Sequence, residues 1–260
     1  MSLAGKVAIV TGSGGGGSGR AIARRMARDG AALVVCDVNE PGGRETVRLI
    51  QSEGGRAAFL RTDVGIEAEV HALFDFAQRT FGGVDILVNN ASAPYPGQGQ
   101  LTGWFPAIQV DLLGTMYCTL AAVEAMRHRG AGAIVNIGST SAVGHGVKHS
   151  NWPAYDVAKV GVMRLATTLA PLAASQRVRV NCLVPDWVSS PEVQEYWNSL
   201  TPDQRREQDV PEVLTSLDEI ADMVTQIATD ERMSGRIILW RNGHPPRLIA
   251  AGDPGFAALD

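Results

Sequence analysis

Apolar residues arrive along this chain in short unbroken runs, separated by longer stretches in which they recur every three or four positions. The runs KVAIV (6–10), AALVVCDV (31–38), RAAFLRTDV (56–64), VDILVNNAS (84–92), GAIVNIGS (132–139) and RVRVNCLVP (177–185) predict strands. The amphipathic stretches 20–30, 42–55, 67–83, 102–130 and 153–174 predict helices between and after them. A last helix over 217–230 and the run GRIILW (235–240) would close the sheet. Strands that are apolar throughout, alternating with helices, belong to a parallel sheet covered on both sides, because each crossover lays a helix across it. The expected fold is α/β, a doubly wound parallel sheet of Rossmann type in three layers (α/β/α), with residues 1–260 forming a single domain.

Between the first strand and the first helix lies TGSGGGGSG, six glycines in the nine positions from Thr11 to Gly19. A flexible linker has this composition, but with so few residues before it such a linker would join no domain to anything. Strand, glycine loop and helix together instead make an anion site, in which backbone N–H groups and a helix N-terminus face a phosphate. In a doubly wound sheet ligands bind beyond the carboxyl ends of the strands, so the chemistry is sought there. Asp37 ends the second strand 18 residues after Gly19, near the spacing at which a carboxylate accepts from an adenosine ribose. Its charge would repel a 2′-phosphate, which points to NAD over NADP. Asp63, Asn89, Asn90, Ser139 and the turn 185–190 fall at later strand ends.

Tyr155 and Lys159, in YDVAK, stand four apart on a predicted helix and so share one face, about 5–6 Å apart at Cβ. An ammonium beside a phenol favours the phenolate, and such a tyrosine takes a proton from an alcohol. With the strand-end serine just upstream, the chain resembles the short-chain dehydrogenase/reductase family from about Leu3 to about Gly243. TGSGGGGSG is similar to that family's cofactor loop, TDV to its adenine contact, VNNAS to its N-N-A-G stretch, NIGS to its serine strand and PDWVSS to its P-G turn.

The resemblance implies an NAD(P)-dependent oxidoreductase acting on CH–OH groups, exchanging a hydride between NAD(H) and a secondary alcohol or ketone. It implies Ser139 at the substrate oxygen, Tyr155 as general acid/base, and Lys159 on the nicotinamide ribose and beside the tyrosine. Gly12, Gly17 and Gly19 would line the phosphates, Asp37 the adenosine ribose, Asp63 and Val64 the adenine, Asn90 the second ribose region and Val188 the carboxamide. A substrate loop is expected over about 188–212, and a homo-oligomer, dimer or tetramer. Ser141 is the alternative to Ser139.

Four departures accompany the match: a glycine loop one residue longer than the family's, Ser92 and Asp186 in place of glycines, and Asp111 where the family carries a catalytic asparagine. The two added side chains would crowd the cofactor or reach for it. Asp111 would keep the asparagine's backbone contact but oppose the charge of Lys159. These departures leave a second reading open, a nucleotide-binding or regulatory member of the fold with impaired catalysis.

Composition narrows the partners. Net charge is −4 with Lys and Arg scattered, which speaks against nucleic acid or an anionic membrane. No apolar leader or unbroken run long enough to cross a bilayer occurs, so a cytoplasmic location is expected. Cys36, Cys118 and Cys182 stand singly in apolar stretches and are expected buried and reduced. His145 and His149 have a ligand-like spacing but sit among glycines without a third ligand, so no metal is expected. Tyr95, Trp104, Trp152, Trp187 and Trp197 are candidates for the walls of a substrate pocket or for ordinary core. The tail 244–260 carries Leu248, Ile249, Phe256 and Leu259, and is expected to pack on a neighbouring subunit.

Overall fold

Each apolar run forms a strand, within three residues of its expected limits. In this computed structural model, which describes residues 2–94, 104–143 and 152–249, the strands are β1 (Val7–Thr11), β2 (Ala32–Asp37), β3 (Arg56–Arg61), β4 (Ile86–Asn89), β5 (Gly132–Ile137), β6 (Val178–Pro185), β7 (Ile237–Trp240) and β8 (Arg247–Ile249). They form one sheet in the order β3-β2-β1-β4-β5-β6-β7-β8, parallel from β3 to β7. Chain order reverses between β1 and β4, which pair through Ala8 with Ile86 and Val10 with Val88.

The strands' two-residue period divides the core. Ala8, Val10, Leu33 and Val35 face α1 (Ser18–Arg28), α2 (Glu40–Ser52) and α10 (Leu217–Thr229), where they meet Ile22, Met26, Ile50, Val224 and Ile227. Val7, Ile9, Ala32 and Val34 face α3 (Glu67–Phe81), α5 (Thr115–Arg129) and α6 (Pro153–Thr168), with Leu73, Met126 and Val162 among the buried side chains. Fully burying a side chain of this kind contributes about 1.5–3 kcal/mol, so two filled faces hold the sheet.

Three expectations need correction. The helix expected over 102–130 is built in parts: α4 (Trp104–Ala107), a π-helical segment Ile108–Gly114, and α5. The Thr115 hydroxyl donates to the Asp111 carbonyl at 2.7 Å within that widened stretch. Widening adds a residue to a turn without altering the apolar pattern, so periodicity does not register it. Taken as one helix, Trp104–Arg129 is long and apolar enough on average to cross a bilayer, unlike any unbroken apolar run, but Cys118, Ala122 and Met126 bury one side of it in the core. Second, the helix expected over 153–174 ends at Thr168. Pro171 disfavours helix in the residue before it, and a separate turn, α7 (Leu172–Gln176), follows. Third, β7 does not close the sheet: β8 adds antiparallel to it, pairing Ile249 with Ile237 and Leu248 with Ile238. Leu248 and Ile249 therefore belong to the chain's own sheet, while Phe256 and Leu259 lie outside the described residues.

At the amino-terminal end of the sheet the buried carboxylate of Asp85 accepts from the Val7 N–H (2.9 Å) and from Arg129 Nη2 (3.0 Å). Asp85→Ala strands both donors and is expected to lower stability by ~1–3 kcal/mol in urea unfolding. Because the residue lies at the far end from the carboxyl edges, dinucleotide affinity of the folded fraction should not change.

Candidate active site

Two adjoining clefts open over the carboxyl ends of the strands, one of about 450 Å³ beside the glycine loop and one of about 950 Å³ beyond β5 and β6. Ser18, Asn90, Ser92, Ala93 and Glu192 border both.

Close backbone approach shapes the first cleft. Gly12 has φ +65°, and a Cβ there would stand 2.7 Å from Ala91 Cα. A Cβ on Gly19 would fall 2.3 Å from the Gly12 carbonyl oxygen. Asn90 fastens the loop by donating from Nδ2 to the carbonyls of Thr11 (3.0 Å) and Gly12 (3.1 Å). Thr11, which the sequence reading did not single out, returns the link: its hydroxyl oxygen accepts from the N–H groups of Asn90 (2.9 Å) and Ala91 (3.0 Å). Gly17 is the N-cap of α1 and brings no side chain to the first turn, and Gly17, Ser18 and Gly19 line the cleft. Asp37 accepts from the Gly14 N–H (2.7 Å) and the Asn39 N–H (2.8 Å) while lining the cleft. The extra loop residue is thereby absorbed: Gly14 is drawn toward β2, and its carbonyl accepts from Arg20 (3.1 Å). Asp63 and Val64 line the same cleft, with Asp63 accepting from the Gly65 N–H (2.9 Å).

Tyr155 and Lys159 reach the second cleft from α6, together with Ser139, Ser141, Trp152, Trp187 and Val188. Lys159 is buried; its Nζ donates to the Ile137 carbonyl (3.1 Å), pairs with Asp111 Oδ1 (3.2 Å) and lies 5.2 Å from the Tyr155 ring centroid. Burial works against its charge, but Tyr155 and Asp111 outweigh burial and hold the ammonium above the ordinary lysine range. Trp152 stacks on Tyr155 with centroids 4.7 Å apart and planes 15° apart, and Trp187 stacks on Tyr196 at 6.0 Å. Ser139 stands just past β5 and accepts from the Ser141 N–H at 3.2 Å.

The stretch expected as a loop over 188–212 contains α8 (Pro191–Ser199) and α9 (Pro202–Glu207). Trp197 donates to the Pro211 carbonyl at 2.9 Å, and the Arg205 guanidinium lies 3.5 Å from its ring centroid. Trp197 thus braces this segment. Glu192, in the first turn of α8, borders both clefts and carries no pattern that would have marked it in advance.

The three cysteines are free and buried, and burial pushes the thiols of Cys118 and Cys182 up to about 12. Tyr95, His145 and His149 lie outside the described residues; among those described, no cluster of three metal-ligating side chains occurs.

A model of the short chain dehydrogenase family matches residues 6–200. The chain belongs to that family. It is 38% identical over 195 residues to a cis-4-hydroxycyclohexanecarboxylate dehydrogenase of Sinomonas cyclohexanicum, covering 73% of this chain and 76% of the relative. A 3beta-hydroxysteroid dehydrogenase of Eggerthella lenta is 37% identical over 194 residues, covering 73% of each. Among solved structures, a 7 alpha-hydroxysteroid dehydrogenase complexed with NADH and 7-oxo glycochenodeoxycholic acid superposes with a TM-score of 0.81 at 29% identity, covering 95% of this chain and 97% of that one. This short chain dehydrogenase is thus an oxidoreductase by kinship as well as by fold.

Its departures from the family pattern all have partners. Ser92 donates to Asp111 (2.6 Å), and Asp186 accepts from the Thr140 hydroxyl (2.9 Å). Gly19→Ala, by contrast, forces a methyl group onto backbone. It is expected to cost ~1–3 kcal/mol in thermal or urea unfolding and to weaken NADH binding, measured by fluorescence titration.

Proposed function

We propose that this chain exchanges a hydride between NAD(H) and a secondary alcohol borne on a ring, or the corresponding ketone. The observation that carries the reading is the approach of the Lys159 ammonium to within 5.2 Å of the Tyr155 ring at the base of the larger cleft, beside the strand-end Ser139.

The smaller cleft together with the adjoining part of the larger one fits a dinucleotide. At Gly12 and Gly19 a Cβ would collide with neighbouring backbone or amide atoms, and Gly17 leaves the start of α1 uncapped. In this reading Gly12, Gly17 and Gly19 hold the phosphates and Asp37 the adenosine ribose. Asp63 and Val64 border the adenine, Asn90 and Lys159 the nicotinamide ribose, and Val188 the carboxamide. Asp37 favours NAD by repelling a 2′-phosphate. When bound, the nicotinamide supplies the hydride acceptor or donor. The protein's own part is the proton: Ser139 holds the substrate oxygen, and Tyr155 takes the hydroxyl proton in oxidation and returns it in reduction. The Lys159 charge favours the phenolate that this requires.

Ring substrates are supported by the stacked walls Trp152 and Trp187, and by the names of the relatives, which act on hydroxycyclohexane and hydroxysteroid compounds. The segment 188–212 forms one side of the larger cleft in this reading. A homo-oligomer agrees with the exposed Leu120 on α5 and Val157 and Val160 on α6. The alternative of a binding-only protein rests on Ser92, Asp111 and Asp186, and each of these has a hydrogen-bond partner within the fold.

The test is a screen of cyclohexanols, hydroxysteroids and open-chain secondary alcohols with NAD and NADP. Turnover of ring alcohols with NAD is expected, and an absence of turnover with every alcohol would refute the reading. Tyr155→Phe should lower kcat by at least ~10²-fold while NADH still binds. Asp37→Ser should weaken NADH and narrow its advantage over NADPH; equal effects on both cofactors would remove Asp37 from the selection.

A further inference from the structure

Behind Lys159 lies a carboxylate that the proposed proton transfer does not use. Asp111 is fully buried and has three donors on its side chain. Oδ1 receives the Ser92 hydroxyl at 2.6 Å and the Lys159 ammonium at 3.2 Å, and Oδ2 receives the Ala93 N–H at 2.9 Å. Its backbone carbonyl, in the π-helical segment, accepts from the hydroxyl of Thr115 at the start of α5, at 2.7 Å. A buried carboxylate is costly unless paired and hydrogen-bonded, and this one is both.

We propose that Ser92 and Asp111 form one positioning unit that holds Lys159 by a direct ion pair and thereby sets the pH range in which Tyr155 works as a base. The inference rests on the reading of Tyr155 and Lys159 given above. An isolated ammonium next to the phenol would favour the phenolate strongly. A carboxylate on the same ammonium offsets that field, so less of the phenolate forms at a given pH and alcohol oxidation moves to more alkaline conditions. Ser92 shares Oδ1 with Lys159, so it acts on the tyrosine only through Asp111.

The other charged and titratable groups around the pair do not supply this effect. Tyr155 is the neighbour on α6. From β6 comes the Cys182 thiol, which burial keeps protonated to about 12. Asp186, Glu192, Asp209 and Arg241 border the cavity; Asp186 is engaged by Thr140 and the Asn242 N–H, at 2.9 and 3.4 Å. Asp111 is the carboxylate that pairs with the lysine itself.

The experiment measures two pH profiles on the purified chain and on Asp111→Asn, Ser92→Ala and the double variant. One is kcat/KM for oxidation of the best alcohol. The other is the ultraviolet absorbance of tyrosinate, taken as the difference from the same protein carrying Tyr155→Phe, which isolates one of the four tyrosines. Asp111→Asn, nearly isosteric, is expected to move both profiles down by about one pH unit. Ser92→Ala leaves Oδ1 to the lysine alone and is expected to move them up by a smaller step, but to add nothing once Asp111 is Asn. Profiles that stay in place or rise in Asp111→Asn overturn the proposal. So does a Ser92→Ala shift of equal size in both backgrounds, or none in either. If Asp111→Asn fails to fold, Ser92→Ala decides alone: an alkaline shift supports the unit, and an unmoved or acidic one overturns it. The absorbance profile separates this inference from the function beneath it. Tyrosinate profiles that move as described in a protein that turns over no alcohol refute the function and keep the unit, whereas turnover with unmoved profiles does the reverse.

Discussion

The seam between β1 and β4 is the constraint on which the rest of the molecule depends. These strands are neighbours in the sheet, yet the chain leaves β1 toward one side and reaches β4 only after crossing back, so no helix covers the space above their ends. An opening there must be lined by backbone, and backbone polar groups need partners. Thr11 and Asn90 supply them from the two sides of the seam, each bonding to the other strand's continuation. Once that clasp is made, a side chain on Gly12 or Gly19 has nowhere to go. Glycine at positions 12 and 19 is therefore a consequence of closing the seam.

Charge is managed differently at the two ends of the cleft. Beside the glycine loop it is left to solvent: Asp37 is partly exposed and takes two backbone N–H groups. At the chemical end it is buried and compensated. Lys159 loses hydration, which alone would favour its neutral form, and regains more than that from Asp111, Tyr155 and the Ile137 carbonyl. A lysine in such a setting keeps its charge and is held in one place.

Most of the fold was legible because strands buried on both faces and helices buried on one leave different periods in the sequence. Where reading failed, the period was silent. The widened turn at Asp111 keeps the apolar face in register, so 102–130 reads as one helix. The helices α8 and α9 are short and bury little, yet both begin at a serine or threonine followed by proline, with Thr201 and Gln204 forming a reciprocal cap, a signal that could have been used. β8 is three residues long and partly exposed, below what alternation can reveal. At the site, single residues at strand ends could be located from spacing, but not their contacts. Ser92 and Asp111 are 19 positions apart, and nothing in the sequence announces that one donates to the other.

That pairing bears on how departures from a family pattern should be read. A glycine replaced by serine beside a bound ligand, taken alone, suggests crowding; an asparagine replaced by aspartate near a lysine, taken alone, suggests a damaged charge balance. Together they satisfy each other: the added hydroxyl donates to the added carboxylate, and the carboxylate has the lysine and a backbone N–H to complete its shell. Asp186 follows the same logic at the opposite wall, where its carboxylate bridges Thr140 past β5 and the Asn242 N–H past β7. A buried polar side chain without a partner costs about 1–3 kcal/mol, a large fraction of the stability of a folded domain. Substitutions of this kind therefore persist as bonded sets. Here the set closes on the lysine: the serine, the carboxylate and the ammonium each find their partners within the fold.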